Sequence, residues 1–457
     1  MFLLSTLAFA QDALSIPFEM HTLDNGLTVI LAEDHSVPVV QVNVWYHVGS
    51  KDEVEGRTGF AHLFEHLMFQ GSENNDQDYF TLLQEVGGSV NGTTNMDRTN
   101  YFEGVPSQYL PLALWAEADR MGWLVLDDER LANQQDVVRN ERRQRVENPP
   151  YGDVWLTLQA NVFPTGHPYN HPVIGSHEDL EAATMEDVKG FYETWYTPNN
   201  AVLVICGDFE PEAALAMVEQ YFGEIEPGPE TSPAEFPAYS IAEEKVVRKV
   251  DENAPVAKLW VAWQSPALYA PGDAELDLFS SYFADGKESP LYNTLVVEKK
   301  LAVEVDAYQA SFGGASMYVI EGTPVPGVTT DALLAEIDAL LGSVLEAGIP
   351  EDALSVGQTQ YEVSFLHGLE TVSAKANKLN SYYYFTGEPD YVQKDLDRYM
   401  NATPEGVIAA AKETFTPGRV VLHVTPPDPE PETVDDPPPL EEESKKGCLF
   451  GRKGGEK

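Results

Sequence analysis

Two apolar segments near the start of the chain, at residues 27–33 and 39–48, are rich in β-branched residues and predict strands. The segment at 89–105 has the same character on either side of a polar centre and predicts a strand pair. Residues 109–125 and 129–146 instead repeat apolar side chains every three or four positions, as helices do. Strand pairs mixed with helix pairs predict an α+β fold, in which helices cover a largely antiparallel sheet.

Residues 59–69 carry apolar side chains at helical spacing, which predicts a short helix with one buried face. Thr58 is the predicted N-cap, since its side-chain oxygen can accept a backbone N–H of the first turn. Gly71 is predicted to lie near the C-terminal end of the helix. The residues of the buried stripe are Phe60, Leu63, Phe64, Leu67 and Met68.

The opposite face of this helix carries two histidines and a glutamate in the segment HLFEH. His62 and His66 lie one helical turn apart, so both imidazoles can reach one metal ion, and Glu65 lies beside them. Zinc accepts imidazole nitrogen and, in catalytic sites, takes a third protein ligand and a water molecule. The alternative is that the three residues form a polar patch on an ordinary helix.

A third ligand is offered by the helix at 129–146, where Glu141 lies on the face that leans inward. An unpaired carboxylate in that position is costly, so it should be neutralised or bound to a metal. Arg142 or Arg143 could neutralise it, and coordination of a metal is the alternative. The stripe that contains Glu141 comprises Leu131, Gln134, Val138, Glu141 and Arg145.

The chain contains an internal repeat of a helix followed by a strand. The segment TMEDVKGFYETWYTPNNAVLVI at 184–205 is echoed at 403–424 by TPEGVIAAAKETFTPGRVVLHV, a constant difference of 219 residues (403 − 184). Each copy predicts a helix opened by a threonine cap, at Thr184 and Thr403, then a Thr-Pro break and a strand. A repeat at half the chain length predicts two homologous domains.

The repeat and the local composition divide the chain into five parts. Residues 18–222, here called the first half, carry the predicted metal site, and residues 238–425, the second half, form its homologue without a metal site. A linker rich in Pro, Gly and Glu joins them at 223–237. Residues 1–17 are predicted as a signal peptide with a short lead, and the acidic, proline-rich residues 426–457 as a disordered tail.

The first residues of the chain, MFLLSTLAFAQDA, form an apolar run that ends in the small-x-small pattern that signal peptidase cleaves. This pattern predicts export to the periplasm or the cell exterior. The alternative is a frayed apolar terminus on a cytoplasmic protein. No later segment approaches the ~18 uninterrupted apolar residues that a membrane-spanning helix requires.

The net charge of the chain argues against nucleic acid and anionic membranes as binding partners. There are 74 acidic and 28 basic residues among 457, a formal net charge of −46. A surface with that excess of negative charge repels nucleic acid and anionic membranes. It is compatible with basic substrates and with a high-salt habitat. Two cysteines are too few for a disulfide framework.

Four segments carry a resemblance to a known family. GSKDEVEGRTGFAHLFEHLMFQGS, GGSVNGTTNMDRTNYFEGVP, DVVRNERRQR and HPYNHPVIGSHEDLEAATMEDVKGFYETWYTPNNAVLVICGDF resemble the pitrilysin/insulinase-type zinc metallopeptidases, the inverzincins. The likeness spans residues 18–425 and favours the short two-domain branch that includes mitochondrial processing peptidase. It implies one zinc ion per chain, held by His62, His66 and Glu141, with Glu65 as general base for hydrolysis of peptide bonds.

Two further residues acquire expected roles from the resemblance. The strand at 89–94 is similar to the family's edge strand, onto which an extended substrate adds, and Asn91 is the predicted substrate contact there. The alternative for Asn91 is a turn asparagine before Gly92. The family often has a glutamate seven residues before its third ligand; here that residue is Gln134, whose amide could still hydrogen-bond to a ligand.

The second half departs from the family pattern. The family often supplies an arginine and, seven residues later, a tyrosine in this region, and the corresponding residues here are Val296 and Val303. The resemblance therefore implies that a homologous partner subunit supplies the pair in a heterodimer. Two alternatives are a substitute tyrosine, for which the nearby candidates are Tyr292, Tyr308 and Tyr318, and a non-catalytic subunit of the same fold that binds or assembles a partner.

Overall fold

The computed structural model describes residues 13–427. The predicted signal peptide up to residue 12 and the predicted tail from residue 428 lie outside the described residues. Within them, the α+β class is confirmed: helices flank one six-stranded and one five-stranded sheet. None of the helices in this part of the chain has the length and apolar character needed to cross a membrane.

The helices and strands follow the chain from residue 19 to residue 425. The strands are β1 Glu19–Thr22, β2 Thr28–Glu33, β3 Val39–Tyr46, β4 Ser89–Thr94, β5 Thr99–Pro106, β6 Ala201–Gly207, β7 Lys245–Val250, β8 Lys258–Ser265, β9 Ala302–Ala310, β10 Ser316–Pro324 and β11 Val420–Thr425. The helices are α1 Phe60–Leu67, α2 Tyr79–Gln84, α3 Leu110–Gly122, α4 Asp128–Arg142, α5 Val154–Val162, α6 His177–Ala182, α7 Met185–Trp195, α8 Pro211–Phe222, α9 Asp273–Phe283, α10 Pro290–Tyr292, α11 Thr330–Ala347, α12 Glu351–His367, α13 Val372–Thr386, α14 Val392–Met400 and α15 Pro404–Thr414.

Each half contributes one sheet. The first sheet has the order β1-β2-β6-β3-β5-β4 and the second has the order β7-β11-β8-β10-β9. Neighbouring strands are antiparallel except for β2 with β6 and β7 with β11, which are parallel. Strand β4 therefore lies at the edge of the first sheet, with one side of its backbone free to pair.

The predicted repeat appears as equal spacing of equivalent elements. Strands β3 and β8 differ by 219 residues at both ends (258 − 39 and 265 − 46), and α7 and α15 do so as well (404 − 185 and 414 − 195). Both predicted threonine caps are present: Thr184 accepts the N–H of Asp187, and Thr403 accepts the N–H of Gly406. The fold is a duplication, and the same capping chemistry starts the same helix in each copy.

Each half contributes one helix that packs on the sheet of the other half. Helix α13 of the second half packs on β3 and β6, where Ala376 and Leu379 join Ile30, Val202 and Val204 in one buried cluster. One face of the first sheet is therefore covered by a helix of the second half.

The reciprocal contact is made by α5 of the first half, which packs on β8 and β11. Val154 and Leu158 of α5 lie in one buried cluster with Trp260, Val319 and Leu422 of the second sheet. No helix or strand lies between Phe222 and Lys245, the region that contains the linker. The domain bounds 18–222 and 238–425 remain predictions, because the buried clusters contain residues from both sides of the linker.

Candidate metal centre

Helix α1 has the amphipathic arrangement that the sequence predicts. The apolar stripe faces the sheet, and the five residues of that stripe, Phe60, Leu63, Phe64, Leu67 and Met68, are all buried. The helix is only eight residues long, so it depends on tertiary contacts rather than on intrinsic propensity. Packing of this stripe fixes the direction in which the polar face points.

The predicted N-cap of this helix is wrong. Gly59 is the N-cap, in a left-handed conformation with φ 87°, and Thr58 donates its hydroxyl to Asp179 instead. A glycine side chain offers no acceptor, and the role falls to Glu53, whose carboxylate accepts the N–H groups of Gly59 and Ala61, both at 2.9 Å. Thr58 failed as a cap because a residue far along the chain engages its hydroxyl.

The polar face of α1 meets the inward face of α4. The Nε2 atoms of His62 and His66 lie 3.8 Å and 3.2 Å from the same carboxylate oxygen, Oε2 of Glu141. The two imidazole rings stand nearly perpendicular, with centroids 4.9 Å apart. One ligand atom from each of the three residues lies within 4.8 Å of the other two, so the structure brings the three predicted ligands together.

The other oxygen of Glu141 faces outward. Its Oε1 forms an ion pair with Arg145, one helical turn later, at a distance of 2.7 Å. Arg142 pairs with Glu147, and neither Arg142 nor Arg143 pairs with Glu141. The alternative, in which Arg142 or Arg143 neutralises Glu141, is therefore wrong, because residues one and two positions away project from other faces of a helix. Arg145 is 76% exposed and leaves Oε2 free for the histidines.

The electrostatics of the cluster suit a cation. Burial, together with the neighbouring His66, lowers the pKa of His62 to about 4, so this imidazole is neutral and its nitrogen lone pair is available. The hydrogen bond from His66 lowers the pKa of Glu141 below its usual range, so its carboxylate is ionised. Neutral imidazole and ionised carboxylate are the protonation states in which these groups bind metals.

The three side chains fit a zinc ion. Tetrahedral zinc with bonds of about 2.0–2.2 Å separates its ligand atoms by roughly 3.3–3.6 Å. The separations of 3.2 and 3.8 Å to Glu141 bracket that range. Two nitrogens and one carboxylate oxygen form a donor set that catalytic zinc sites use, with the fourth position left for a water molecule or substrate.

Glu65 lies between α1 and the edge strand β4. Its Oε2 accepts the hydroxyl of Thr94 at 2.5 Å. A Cβ atom on Gly92 would lie 3.2 Å from Cγ of Glu65 and 3.1 Å from the ring of Phe69, so the strand passes close to the glutamate. Burial raises the pKa of Glu65, and the Thr94 hydrogen bond opposes that rise. These contacts hold the carboxylate in one place, and a carboxyl group with a raised pKa is a group that can exchange protons near neutral pH.

Asn91 and Gln134 differ in how well they match their expected roles. Asn91 is exposed on β4, within the strand rather than in a turn, and its Oδ1 accepts the N–H of Gly92. Gln134 is buried on α4, but no hydrogen bond joins its amide to either histidine or to Glu141 within the described residues. The role of Gln134 beside the ligands therefore stays a prediction.

The sequence did not predict the residues that hold Glu65 and the start of α1 in place. Thr94 donates a hydrogen bond to Glu65, and Glu53 accepts one from the start of α1. Neither residue is part of a sequence motif with a characteristic spacing. Thr94 could have been found from its position in the strand, two residues after Gly92, since alternate residues share a face. Glu53 has no local signal that separates it from Asp52 or Glu55.

In the second half, Val303 is 60% exposed on the edge strand β9, and Val296 packs against the buried core. Of the three substitute tyrosines, Tyr318 is fully buried and its hydroxyl accepts from Ser280 at 2.9 Å. Tyr292 packs against the same core, and Tyr308 packs against Trp155, with ring centroids 6.3 Å apart. The exposed start of β9 therefore carries an apolar side chain at the position of the family's tyrosine.

Comparison with known proteins identifies the family and the fold of this chain. The family model described as "Insulinase (Peptidase family M16)" matches residues 28–167, and the one described as "Peptidase M16 inactive domain" matches residues 182–361. The zinc protease PqqE of Helicobacter pylori is 30% identical over 408 residues, which cover 86% of this chain and 91% of that protein.

Two further similarities agree with these matches. A probable mitochondrial-processing peptidase subunit beta of Arabidopsis thaliana is 27% identical over 275 residues, covering 59% of this chain and 51% of that protein. The crystal structure of a protease from Helicobacter pylori superimposes with a TM-score of 0.84 at 25% identity, covering 90% of this chain and 100% of that one. The resemblance to insulinase-type peptidases is thereby confirmed.

Proposed function

Because the chain belongs to the insulinase family of peptidases, family M16, we propose that it is a catalytically active zinc endopeptidase that hydrolyses unfolded peptides or small proteins. The convergence of His62, His66 and Glu141 beside Glu65 is the observation that carries the proposal. His62 and His66 would hold zinc through Nε2, and Glu141 through Oε2. When bound there, zinc supplies Lewis-acid chemistry that polarises a peptide carbonyl and acidifies a water molecule.

The reaction assigns a proton-transfer role to Glu65. Its carboxylate accepts a proton from the water as the new C–O bond forms, and then delivers that proton to the leaving amine as the C–N bond breaks. The Thr94 hydroxyl holds one carboxylate oxygen and leaves the other for the water. Burial of Glu65 brings its pKa closer to neutrality, which favours both directions of transfer.

The edge of β4 is the proposed place of the substrate. An extended peptide would pair with the free backbone of this strand, beside Glu65, and Asn91 would contact it from the exposed face. Recognition through backbone hydrogen bonds requires an extended chain and tolerates many side chains. This is why unfolded peptides are the proposed substrate class.

Replacement of Glu65 by glutamine tests the proposal. The amide has the shape of the carboxylate but cannot accept a proton, so hydrolysis of an unstructured peptide should fall by about 10²–10⁴-fold. Zinc content measured on the same sample should stay at the wild-type value. Glu85→Gln, an exposed glutamate at the end of α2, is the matched control and should leave turnover unchanged. Equal turnover by Glu65→Gln and wild type would refute the role of Glu65.

The second half supports a further part of the proposal, that this chain is the catalytic subunit of a heterodimer. Val303 and Val296 provide no hydrogen-bond donor where the family often has tyrosine and arginine, and loss of such a donor costs about 10²–10³-fold in rate. A homologous partner subunit would supply the pair. The competing function is a non-catalytic subunit, and the intact set of His62, Glu65, His66 and Glu141 favours catalysis.

Adding the missing side chains to this chain separates these possibilities. The Val296→Arg/Val303→Tyr double variant, purified alone, should hydrolyse peptide faster than wild type if the missing donors limit the rate. Val297→Arg, at an exposed neighbouring position, controls for added charge. Sedimentation should show whether wild type is a monomer. Full activity of the isolated wild type, with no gain in the double variant or on adding a homologous chain, would contradict the heterodimer.

Export is a separate proposal that rests on the N-terminal sequence alone. Expression of the full chain in a bacterium, followed by cell fractionation and N-terminal sequencing, tests it. Cleavage after Ala10 and recovery from the periplasm or medium are expected. An uncleaved chain recovered in the cytoplasm would favour the alternative.

A further inference from the structure

The turn that joins β4 to β5, residues 95–98, is held by both halves of the chain. Within the first half, Asn95 and Met96 accept the backbone N–H groups of Ser50 and Lys51 through their carbonyls. The side chain of Asn95 accepts the N–H groups of Asp97 and Arg98, both at 2.8 Å, which fixes the shape of the turn.

Asp97 makes the contacts to the second half. Its carboxylate Oδ2 accepts the backbone N–H of Gly313, in the turn between β9 and β10, at 2.9 Å. Its backbone carbonyl accepts the hydroxyl of Tyr384, on α13, at 2.8 Å. Asp97 is only 3% exposed, and a buried carboxylate that loses one of its donors bears a large desolvation cost.

A second connection runs through a buried tyrosine. Tyr169 donates its hydroxyl to Oδ1 of Asp97 and accepts the N–H of Gly314 at 2.8 Å on the same oxygen. Both carboxylate oxygens of Asp97 are thus tied, directly or through Tyr169, to consecutive backbone N–H groups of the second half. Gly313 has no room for a side chain, since a Cβ there would lie 2.6 Å from Phe385 and 3.0 Å from Asp97.

The same hairpin carries the contacts to Glu65. Thr94, the last residue of β4, is three residues from Asp97 and donates to the Glu65 carboxylate. Gly92 places the backbone of β4 against the side chain of Glu65. Thr94 is paired to Thr99 of β5, and only two residues separate it from Asp97, so a displacement of the turn would be transmitted to Thr94.

We propose that Asp97 is a positioning residue through which the second half holds β4, and with it the Thr94 hydroxyl, in register with the Glu65 carboxylate. The inference rests on the proposed function, because the carboxylate that it positions is the proposed general base. The second half has no metal cluster within the described residues, yet in this arrangement it contributes to proton transfer. Separation of the halves would loosen β4 and lower turnover without removing any residue that touches substrate.

The test uses the zinc-loaded full chain with Tyr384→Phe, which removes one contact, and Asp97→Asn, which replaces an acceptor oxygen with an amide. Hydrogen exchange of the peptide spanning residues 89–98 should become at least threefold faster in both variants. Turnover number should fall threefold to tenfold for Tyr384→Phe and more for Asp97→Asn, with zinc content unchanged.

Two controls separate positioning from general weakening. Tyr383→Phe removes a neighbouring hydroxyl, and Lys375→Met removes the ion pair with Asp34, another contact between the halves. Neither should change exchange of the β4–β5 hairpin or turnover number, although Lys375→Met should lower the melting temperature. Equal effects of Lys375→Met and Tyr384→Phe on the hairpin would overturn the inference.

A double-mutant comparison with Thr94→Val identifies the route. If Asp97 acts through Thr94, then Tyr384→Phe/Thr94→Val should turn over peptide at the rate of Thr94→Val alone. The inference would be overturned if the turnover of the double variant fell by the product of the two single-variant losses. It would also be overturned if hydrogen exchange of the hairpin were unchanged in both Tyr384→Phe and Asp97→Asn. If the wild type has no peptidase activity while hairpin exchange responds as expected, the proposed function fails and the control of β4 by the second half stands.

Discussion

Glu53 accepts the backbone N–H of Gly59 at 2.9 Å, and the same carboxylate accepts the N–H of Ala61, the residue before the first histidine of the metal cluster. Burial raises the pKa of Glu53 well above its usual value, and the hydrogen bonds that it accepts from these two N–H groups oppose that rise. The carboxylate therefore replaces the cap that glycine cannot provide.

Glu53→Gln should loosen the start of α1. The amide keeps one acceptor and turns an N–H toward a backbone N–H, which should cost about 1–3 kcal/mol of stability. Thermal unfolding and a zinc titration should show a lower melting temperature and weaker zinc binding. Glu55→Gln, an exposed neighbour, should change neither quantity. Wild-type zinc affinity in Glu53→Gln would show that α1 holds its position without this cap.

Removal of a metal ligand should abolish zinc binding. Glu141→Gln and His66→Ala each remove one of three protein donors, so neither variant should retain stoichiometric zinc after dialysis. A chelator should lower the melting temperature of wild type and leave that of both variants unchanged, because ligand binding stabilises the folded state. Glu147→Gln, which removes the partner of Arg142, is the control and should keep its zinc. Full zinc retention by both ligand variants would disprove the assignment.

Gly92→Ala should reduce turnover. The added Cβ would lie 3.2 Å from Glu65 and 3.1 Å from Phe69, so the glutamate or the strand must shift by a few tenths of an ångström. A shift of the reacting carboxylate is expected to lower turnover about tenfold. Gly190→Ala on α7 has no atom within 4 Å and should raise helix stability by about 0.5–1 kcal/mol, with turnover unchanged. Undiminished activity of Gly92→Ala would show that Glu65 tolerates displacement.

The buried cluster of Glu103, Glu117 and Arg120 should make stability fall as pH rises. Burial raises the pKa of Glu103 to about 7, against the opposing effect of Arg120, whereas in the unfolded chain the carboxyl ionises near its usual value. The neutral form is favoured by folding, so its stabilisation is complete at pH 4 and is lost progressively up to pH 7.

Replacement of Glu103 by glutamine removes this titration. Between pH 5 and pH 8, the free energy of unfolding of Glu103→Gln should increase by about 2–3 kcal/mol relative to that of wild type, because only wild type loses stability over this range. Urea unfolding of the zinc-free protein at both pH values measures the difference. Glu219→Gln, exposed on α8, should show no such dependence. A difference that is constant with pH would mean that Glu103 remains ionised in the folded protein.

The parts of the site that the sequence predicted correctly depend on short-range geometry. The apolar stripe of α1 fixes where His62, Glu65 and His66 point, and the stripe of α4 fixes the direction of Glu141. Helical periodicity determines both. The duplication was likewise visible, because Thr184 and Thr403 start equivalent helices through a local hydrogen bond.

The parts that were missed depend on contacts between distant residues. Thr58 cannot cap its own helix because Asp179, 121 residues later, accepts its hydroxyl. Asp97 gains its partners Gly313 and Tyr384 only when the halves meet, across 216 and 287 residues of sequence. No periodicity along the chain encodes such pairings, so single polar residues in turns give no sign of what they will contact.

Helix α5 of the first half covers the second sheet, and α13 of the second half covers the first sheet. This arrangement suggests how the fold could have evolved. Each helix covers a sheet that is not its own, so a half-length chain alone would leave an apolar surface open to water. Two identical half-length chains could cover each other's surfaces around a twofold axis, as an isologous dimer does. The present chain has the form that fusion of two such subunits would produce, after which only one copy needed to keep the histidines. On this account, cutting the chain at the linker and producing the two fragments in the same cell should restore a folded pair, whereas either fragment alone should aggregate.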